Sequence, residues 1–302
     1  MNGIINVNKP SGMTSFDVVS KIRRLFGVKR VGHAGTLDPD ACGVLPLCIG
    51  KATKVIEYLM EKDKAYRVGL MLGTATDTQD AAGNIVYEKP VLVPDEDIEA
   101  AIDSFLGERE QIPPMYSAVK VGGKRLYDLA RKGMEVERKP RSVTFFKLKI
   151  LSIDRKSDKV IVIFDAECSK GTYMRTLCHD IGELLGCGGH MISLIRTRSG
   201  PFLLENSHTL EKIEEFKAHH KLEKALIPMD QALLKMPPVY VPQNGAIRLK
   251  NGLSVPVEGL TSDFARVYHD NGEFLAIGRI IKKGNFSELR THKWIGNESI
   301  GL

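Results

Sequence analysis

The segment His33-Ala-Gly-Thr-Leu-Asp-Pro-Asp-Ala-Cys-Gly-Val-Leu-Pro46 concentrates groups that could do chemistry. Asp38 offers a carboxylate, and Pro39 fixes the backbone after it and biases Asp38 away from helix. The glycines at 35 and 43 would let a partner's backbone or base approach closely. A carboxylate held this way could serve as a nucleophile or anionic stabiliser. The same Asp-Pro pair also starts ordinary turns, and spacing does not separate the two uses. Other combinations fall short of a site. Between Gly43 and Gly50 six residues intervene, Pro46 removes a backbone donor, and Ala52 follows Lys51 where a phosphate loop needs Ser or Thr. Cys178, His179, Cys187 and His190 contain no Cys-x2-Cys pair, and the first two fall in a helical stretch, so buried thiols are expected and no metal. Asp77, Asp80 and Asn84 lack the acidic twelfth residue of a calcium loop.

A loop site needs elements on both sides to hold it. Met1–Val7 reads as a strand ended by the turn Lys9-Pro10-Ser11-Gly12, and Thr14 with Asp17 forms a capping box before a helix carrying Phe16, Val19, Ile22 and Phe26. Gly32 to Gly50 reads as a glycine-rich loop. Ala65–Leu72 predicts a strand, 74–84 a polar loop, and Ile85–Glu88 its partner strand. Helices are expected at Asp95–Phe105, Arg125–Lys132 and Tyr173–Leu185, each stopped by a glycine. Val143–Asp154 and Lys159–Glu167 form a hairpin pattern, Met191–Thr197 another strand, and Leu210–Ala232 one or two helices. Lys235-Met236-Pro237-Pro238 marks a boundary, followed by short strands with a hairpin at Asp270-Asn271-Gly272. Strands and helices do not alternate regularly. The expected fold is therefore α+β: a large, mostly antiparallel mixed sheet with flanking helices over residues 1–235, and a small β domain over 236–302.

With 302 residues, 43% hydrophobic and 26% charged, the composition is that of a globular protein. No apolar run reaches the roughly 18–20 residues of a membrane helix. The first residues lack a basic segment followed by an apolar one, so secretion is not expected. Five cysteines at 42, 48, 168, 178 and 187 show no framework spacing, which suits a reducing cytoplasm. The formal charge of +6 is clustered: Lys21–His33 has five basic residues and no acid, and 119–141 has eight basic residues against three acids. The second stretch includes Tyr127 and follows Tyr116. Basic loops with aromatic neighbours suit an RNA backbone and its unpaired bases, although a solvated helix face gives the same pattern.

The segment around Asp38 resembles the catalytic motif of the TruB family of tRNA pseudouridine-55 synthases. The resemblance continues in order along the chain, through Asn8–Ser15, Lys64–Val68, Thr76–Asp80, Pro114–Lys120, Ser169–Thr176 and Leu194–Thr197. The C-terminal segment is similar to the family's PUA-like RNA-binding appendage by position and β character. The resemblance implies isomerisation of uridine 55 in the T loop, needing no cofactor. It implies that Asp38 is the nucleophile, Arg175 its orienting cation and Tyr66 a ring stacked on the target uracil that can take a proton from the sugar. Leu194 would pack beneath the base. The target must be flipped into the pocket, and His33 would fill the space it leaves. Tyr173, Asp80 and Arg196 would be further site neighbours; Lys120, Lys124 and Arg125 would be phosphate contacts on a mobile thumb over about 111–141; Lys9 and Pro10 would shape the floor. The implied partner is tRNA, through its T arm, engaged by a cytoplasmic monomer without a membrane or a required protein partner. Alternatives are a tRNA-folding chaperone on the same surface, the related catalytic subunit of guide-RNA-dependent particles, and a synthase of another site. Intact Asp38, Tyr66 and Arg175 count against lost catalysis, and the short N-terminus and small C-terminal domain favour the stand-alone form.

Overall fold

Alternation along Lys159–Cys168 buries Val160, Val162, Phe164, Ala166 and Cys168 and leaves the residues between them half-exposed, as a strand covered mainly on one face requires. A computed structural model describes residues 1–117, 119–156, 159–284 and 286–297, apart from the side chains of Arg125 and Lys156. In chain order the elements are β1 (Gly3–Lys9), α1 (Ser15–Phe26), β2 (Val31–His33), β3 (Cys42–Ile49), α2 (Ile56–Met60), β4 (Lys64–Leu72), β5 (Thr74–Thr76), β6 (Ile85–Glu88), α3 (Asp95–Asp103) and β7 (Gly107–Gln111). There follow β8 (Lys120–Val121), β9 (Lys124–Arg125), α4 (Leu126–Ala130), β10 (Arg141–Lys156), β11 (Lys159–Cys168), α5 (Met174–Leu184), β12 (Gly189–Ser199), β13 (Phe202–Leu203) and α6 (Leu210–Ala218). The last are β14 (Pro238–Val241), α7 (Gln243–Lys250), β15 (Val255–Val257), β16 (Phe264–His269), β17 (Phe274–Lys283) and β18 (Phe286–Trp294).

The fold is α+β, as expected. The main sheet has the order β1-β3-β12-β4-β11-β10-β7, with β2 added to β3 and β13 to β12. Its pairs are antiparallel except β3 with β12, which meet in parallel at Cys42–Ile195 and Gly43–Arg196. One face packs α3 and α5 against β4, β10 and β11; beside it α1 and α6 pack on β1 and β3. Tyr66 and Leu194 touch both apolar clusters and so mark the seam between them. On α1, Thr14 caps the helix and Asp17 returns the bond, completing the capping box.

Two local readings change. Residues 42–49 are a strand, not part of a loop: Val44–Ile49 are buried inside the sheet, and the Pro46 carbonyl accepts from Ala34 N–H at 2.9 Å. The partner of β6 is β5, not β4, because β4 already lies between β11 and β12. The second sheet has the order β14-β16-β17-β18-β15 and includes the expected hairpin between β16 and β17. It joins the main body through a shared apolar cluster that includes Ile4, Val55, Phe202, Ile277 and Ile295. Lys51 Nζ donates to the Gly296 carbonyl at 2.8 Å, and Lys54 Nζ to that of Trp294 at 2.7 Å.

Candidate active site

The loop bearing Asp38 is pinned on both sides of that residue. Before it, the buried Ser15 Oγ accepts from Leu37 N–H at 2.9 Å and donates to the Leu37 carbonyl at 3.1 Å. After it, Lys9 Nζ donates to the Pro39 carbonyl at 2.8 Å and to those of Pro10 and Met13. Lys9 is fully buried, and dehydration pulls its ammonium below the usual lysine pKa. Lys9 thus ties the end of β1 to the loop at Pro39. Ser15 sits at the start of α1; nothing in its sequence context marks it as a loop anchor.

Arg175 projects from the first turn of α5 and is buried. Its Nη2 lies 3.1 Å from Asp38 Oδ2 and donates to the Tyr116 carbonyl at 2.8 Å; its Nη1 reaches Asp80 Oδ2 at 3.4 Å. The guanidinium is therefore shared between two carboxylates and does not grip Asp38 with both nitrogens. Asp80 is fixed in turn by Thr78 Oγ1 and by Ala82 N–H, in a turn where Gln79 takes a left-handed backbone (φ 64°). Dehydration pushes the Asp38 carboxyl above the usual range; Arg175 opposes this, while Asp80 and Asp40 add to it. Because 46% of the Asp38 side chain is exposed, that rise is limited.

Tyr66 on β4 and Leu194 on β12 line the same face, with Tyr66 opposite Arg196 and Val68 opposite Leu194. Burial raises the Tyr66 phenol pKa, and contact with the Arg196 guanidinium works against that. His33 ends β2; burial and the Arg196 charge lower its pKa, and its buried Nδ1 has no partner among the described residues. Both effects favour the neutral ring. Tyr173 is the N-cap of α5, its backbone N–H and carbonyl both bonded to the amide of Gln111 at 2.8 and 2.9 Å. Gln111 and the Tyr116 carbonyl were not anticipated, since a backbone acceptor carries no sequence signature. Beside Arg175 a cavity of about 190 Å³ is lined by Thr76, Gln79, Tyr116, Arg138 and His179.

Arg196, expected as a site neighbour, is 1% exposed, and its nitrogens donate to the carbonyls of Val44 (2.7 Å), Gly35 (3.1 Å) and Thr36 (3.4 Å). It cannot reach a phosphate. Lys120 and Lys124 lie on the exposed β8–β9 hairpin, whose Gly122 and Gly123 (φ 57° and 81°) form the tight turn. With Arg131 and Lys132 they border one open recess. The side chain of Arg125 and residue Ala118 lie outside the described residues. Among the described residues no three His, Cys, Asp or Glu side chains gather as metal ligands would.

The chain is similar to known proteins over most of its length. Residues 23–174 match the family model described as TruB family pseudouridylate synthase (N terminal domain), and 175–234 the tRNA pseudouridylate synthase B C-terminal domain. The chain is 47% identical to the tRNA pseudouridine synthase B of Clostridioides difficile (strain 630), over 97% of this chain and 99% of that one. It is 50% identical to that of Geobacillus kaustophilus (strain HTA426), over 83% and 90%. Among solved structures it is similar to an H/ACA RNP bound to a substrate RNA containing 2'-deoxyuridine (TM-score 0.75, 26% identity, 99% of this chain and 86% of that one). It is also similar to a Cbf5-Nop10-Gar1 complex (TM-score 0.74, 28% identity, 97% and 85%).

Proposed function

The chain belongs to the TruB family of pseudouridylate synthases, and from that premise we infer how its residues carry the reaction. It is an isomerase that converts uridine in tRNA to pseudouridine. The reaction breaks the bond between ribose C1′ and uracil N1, turns the base and rejoins it through C5, so substrate and product have the same composition. The uridine at position 55 of the T loop is the target, flipped out of its stack into the recess above Asp38. Ionised Asp38 is the nucleophile. Arg175 orients it, Tyr66 stacks on the uracil with Leu194 beneath, and neutral His33 fills the space the target leaves. Tyr173 borders the flipped base through its fixed backbone, and Asp80 acts through Arg175.

The observation that carries this reading is the contact of buried Arg175 with Asp38, on a loop pinned at residues 37 and 39, beside the seam that holds Tyr66 and Leu194. Residues 1–235 form the catalytic unit, with 111–141 as a thumb whose Lys120, Lys124 and Arg125 meet phosphates. Residues 236–302 form a PUA-like RNA-binding unit. The protein acts as a cytoplasmic monomer without a protein partner; its five free thiols suit that compartment. The test is tritium release from a tRNA transcript labelled at uridine C5. Wild type should release about one tritium per tRNA and leave pseudouridine at position 55. Asp38→Asn should release none while binding tRNA within a few fold of wild type. Appreciable turnover by that variant would remove Asp38 from the nucleophile's role.

A further inference from the structure

Gln111 ends β7 and pairs with Arg141 at the start of β10, so the two ends of the segment between them meet here. Its side chain is buried, and its amide meets the backbone of one residue twice. Oε1 accepts from Tyr173 N–H at 2.8 Å, and Nε2 donates to the Tyr173 carbonyl at 2.9 Å. A primary amide offers an acceptor and a donor side by side, which matches the N–H and C=O of a single residue. Tyr173 caps α5, and its carbonyl also accepts from Leu177 N–H, the first bond of that helix. Arg175 projects from the turn that follows. Further along the chain from Gln111, the Tyr116 carbonyl accepts from Arg175 Nη2 at 2.8 Å. The stretch 111–116 is thus tied to the start of α5 at both ends. The next carbonyl, that of Ser117, accepts from Tyr127 N–H in α4 at 3.1 Å, so neighbouring carbonyls hold Arg175 and the basic segment.

We propose that Gln111 is a positioning residue: its clamp on Tyr173, and the strap that it begins, set how Arg175 leaves α5 and aim the guanidinium at Asp38. The proposal rests on the pseudouridine-forming reading above. The terminal nitrogen Nη2 carries two hydrogens. With the Tyr116 carbonyl taking one, the other is available to Asp38 Oδ2 at 3.1 Å, while Nη1 stays on Asp80 at 3.4 Å. Removing the Gln111 amide takes a partner from both the N–H and the carbonyl of Tyr173, and the backbone must shift to find others. Arg175 moves with it. Displacement by about 1 Å in a group that holds a reacting one can cost on the order of a hundredfold in rate.

The test uses single-turnover tritium release with tRNA prebound, in Gln111→Met and Gln111→Asn. The first keeps the volume and loses both bonds; the second keeps the amide but is one methylene short. For Gln111→Met the rate should fall by at least about tenfold with tRNA affinity within about threefold, and Gln111→Asn should lie between it and wild type. A purely structural amide would lower Tm and leave the pH profile in place. Asp38 faces Arg175 and Lys9, which lower its pKa, and Asp80 and Asp40, which raise it. Loosening Arg175 weakens a lowering charge, so the acid limb of the rate should move to higher pH by at least about half a unit. A limb that stays in place, an unchanged rate, or a loss of affinity that matches the loss of rate would overturn the proposal. A second readout needs no turnover: the guanidinium ¹⁵N resonances of Arg175, assigned by their disappearance in Arg175→Lys, should move in Gln111→Met, and unmoved signals would equally overturn it. If wild type released no tritium the isomerase reading would fail, while these resonances would still report on how Arg175 is held. Should Gln111→Met not fold, Gln111→Asn carries each measurement.

Discussion

Asp38 meets two opposing requirements. As the proposed nucleophile it must be ionised, yet partial burial dehydrates the carboxylate and favours its neutral form. Arg175 pulls the pKa down, but dehydration prevails, and Asp80, bonded to the other nitrogen of Arg175, adds a like charge. The sign follows directly. A raised pKa on a group needed as its anion means that kcat/KM falls on the acid side with a midpoint above the ordinary carboxylate value of about 4. Asp80→Asn removes one raising charge and frees Arg175 for Asp38, so the acid limb should move to lower pH even if the plateau drops. A limb that stays in place would show that Asp80 does not act on Asp38. The types and spacing of Asp38, Tyr66 and Arg175 were legible through their motifs. The partition of Arg175 was not, because Asp80 lies 95 residues away and the Tyr116 carbonyl has no side-chain identity to read.

Three elements hold the loop around Asp38: the end of β1 through Lys9, the start of α1 through Ser15, and β12 through Arg196. Sequence reading caught β1, the capping box and α1, since strand end, turn and cap leave strong local signals. It missed β3, where a glycine, a proline and a buried apolar run give conflicting signals that only the sheet's interior resolves. The glycines beside Asp38 were read as openings for a partner. At Gly43 the space is filled by the chain itself: φ is 101°, and a methyl group there would overlap the Arg196 carbonyl oxygen. Gly43→Ala combines a left-handed backbone with a clash at the parallel β3–β12 junction. It should destabilise the protein by about 2–4 kcal/mol, lowering Tm by at least about 5 °C, and should slow catalysis more than it weakens tRNA binding. An unchanged melting curve would mean that the junction yields without cost.

A net charge of +6 does not say which cations face a polyanion, and the fold divides them. Lys51 and Lys54 donate to the carbonyls of Gly296 and Trp294 and help to hold the second sheet against the main one. Lys120 and Lys124 stand exposed on a short hairpin, with Arg131 and Lys132 across the same recess, in the segment between β7 and β10 that projects toward the site through Tyr116. The two groups should therefore behave oppositely. Each phosphate neutralised contributes roughly 0.7–0.9 to the slope of log affinity against log salt, so replacing Lys120 and Lys124 together by alanine should flatten that slope by about 1.4–1.8 while Tm holds. Lys54→Met should lower Tm through the unsatisfied Trp294 carbonyl and leave the slope within error of wild type. A slope unchanged by the hairpin pair would take the thumb out of the tRNA interface. A slope flattened by Lys54→Met would mean that the contact between the sheets opens when tRNA binds.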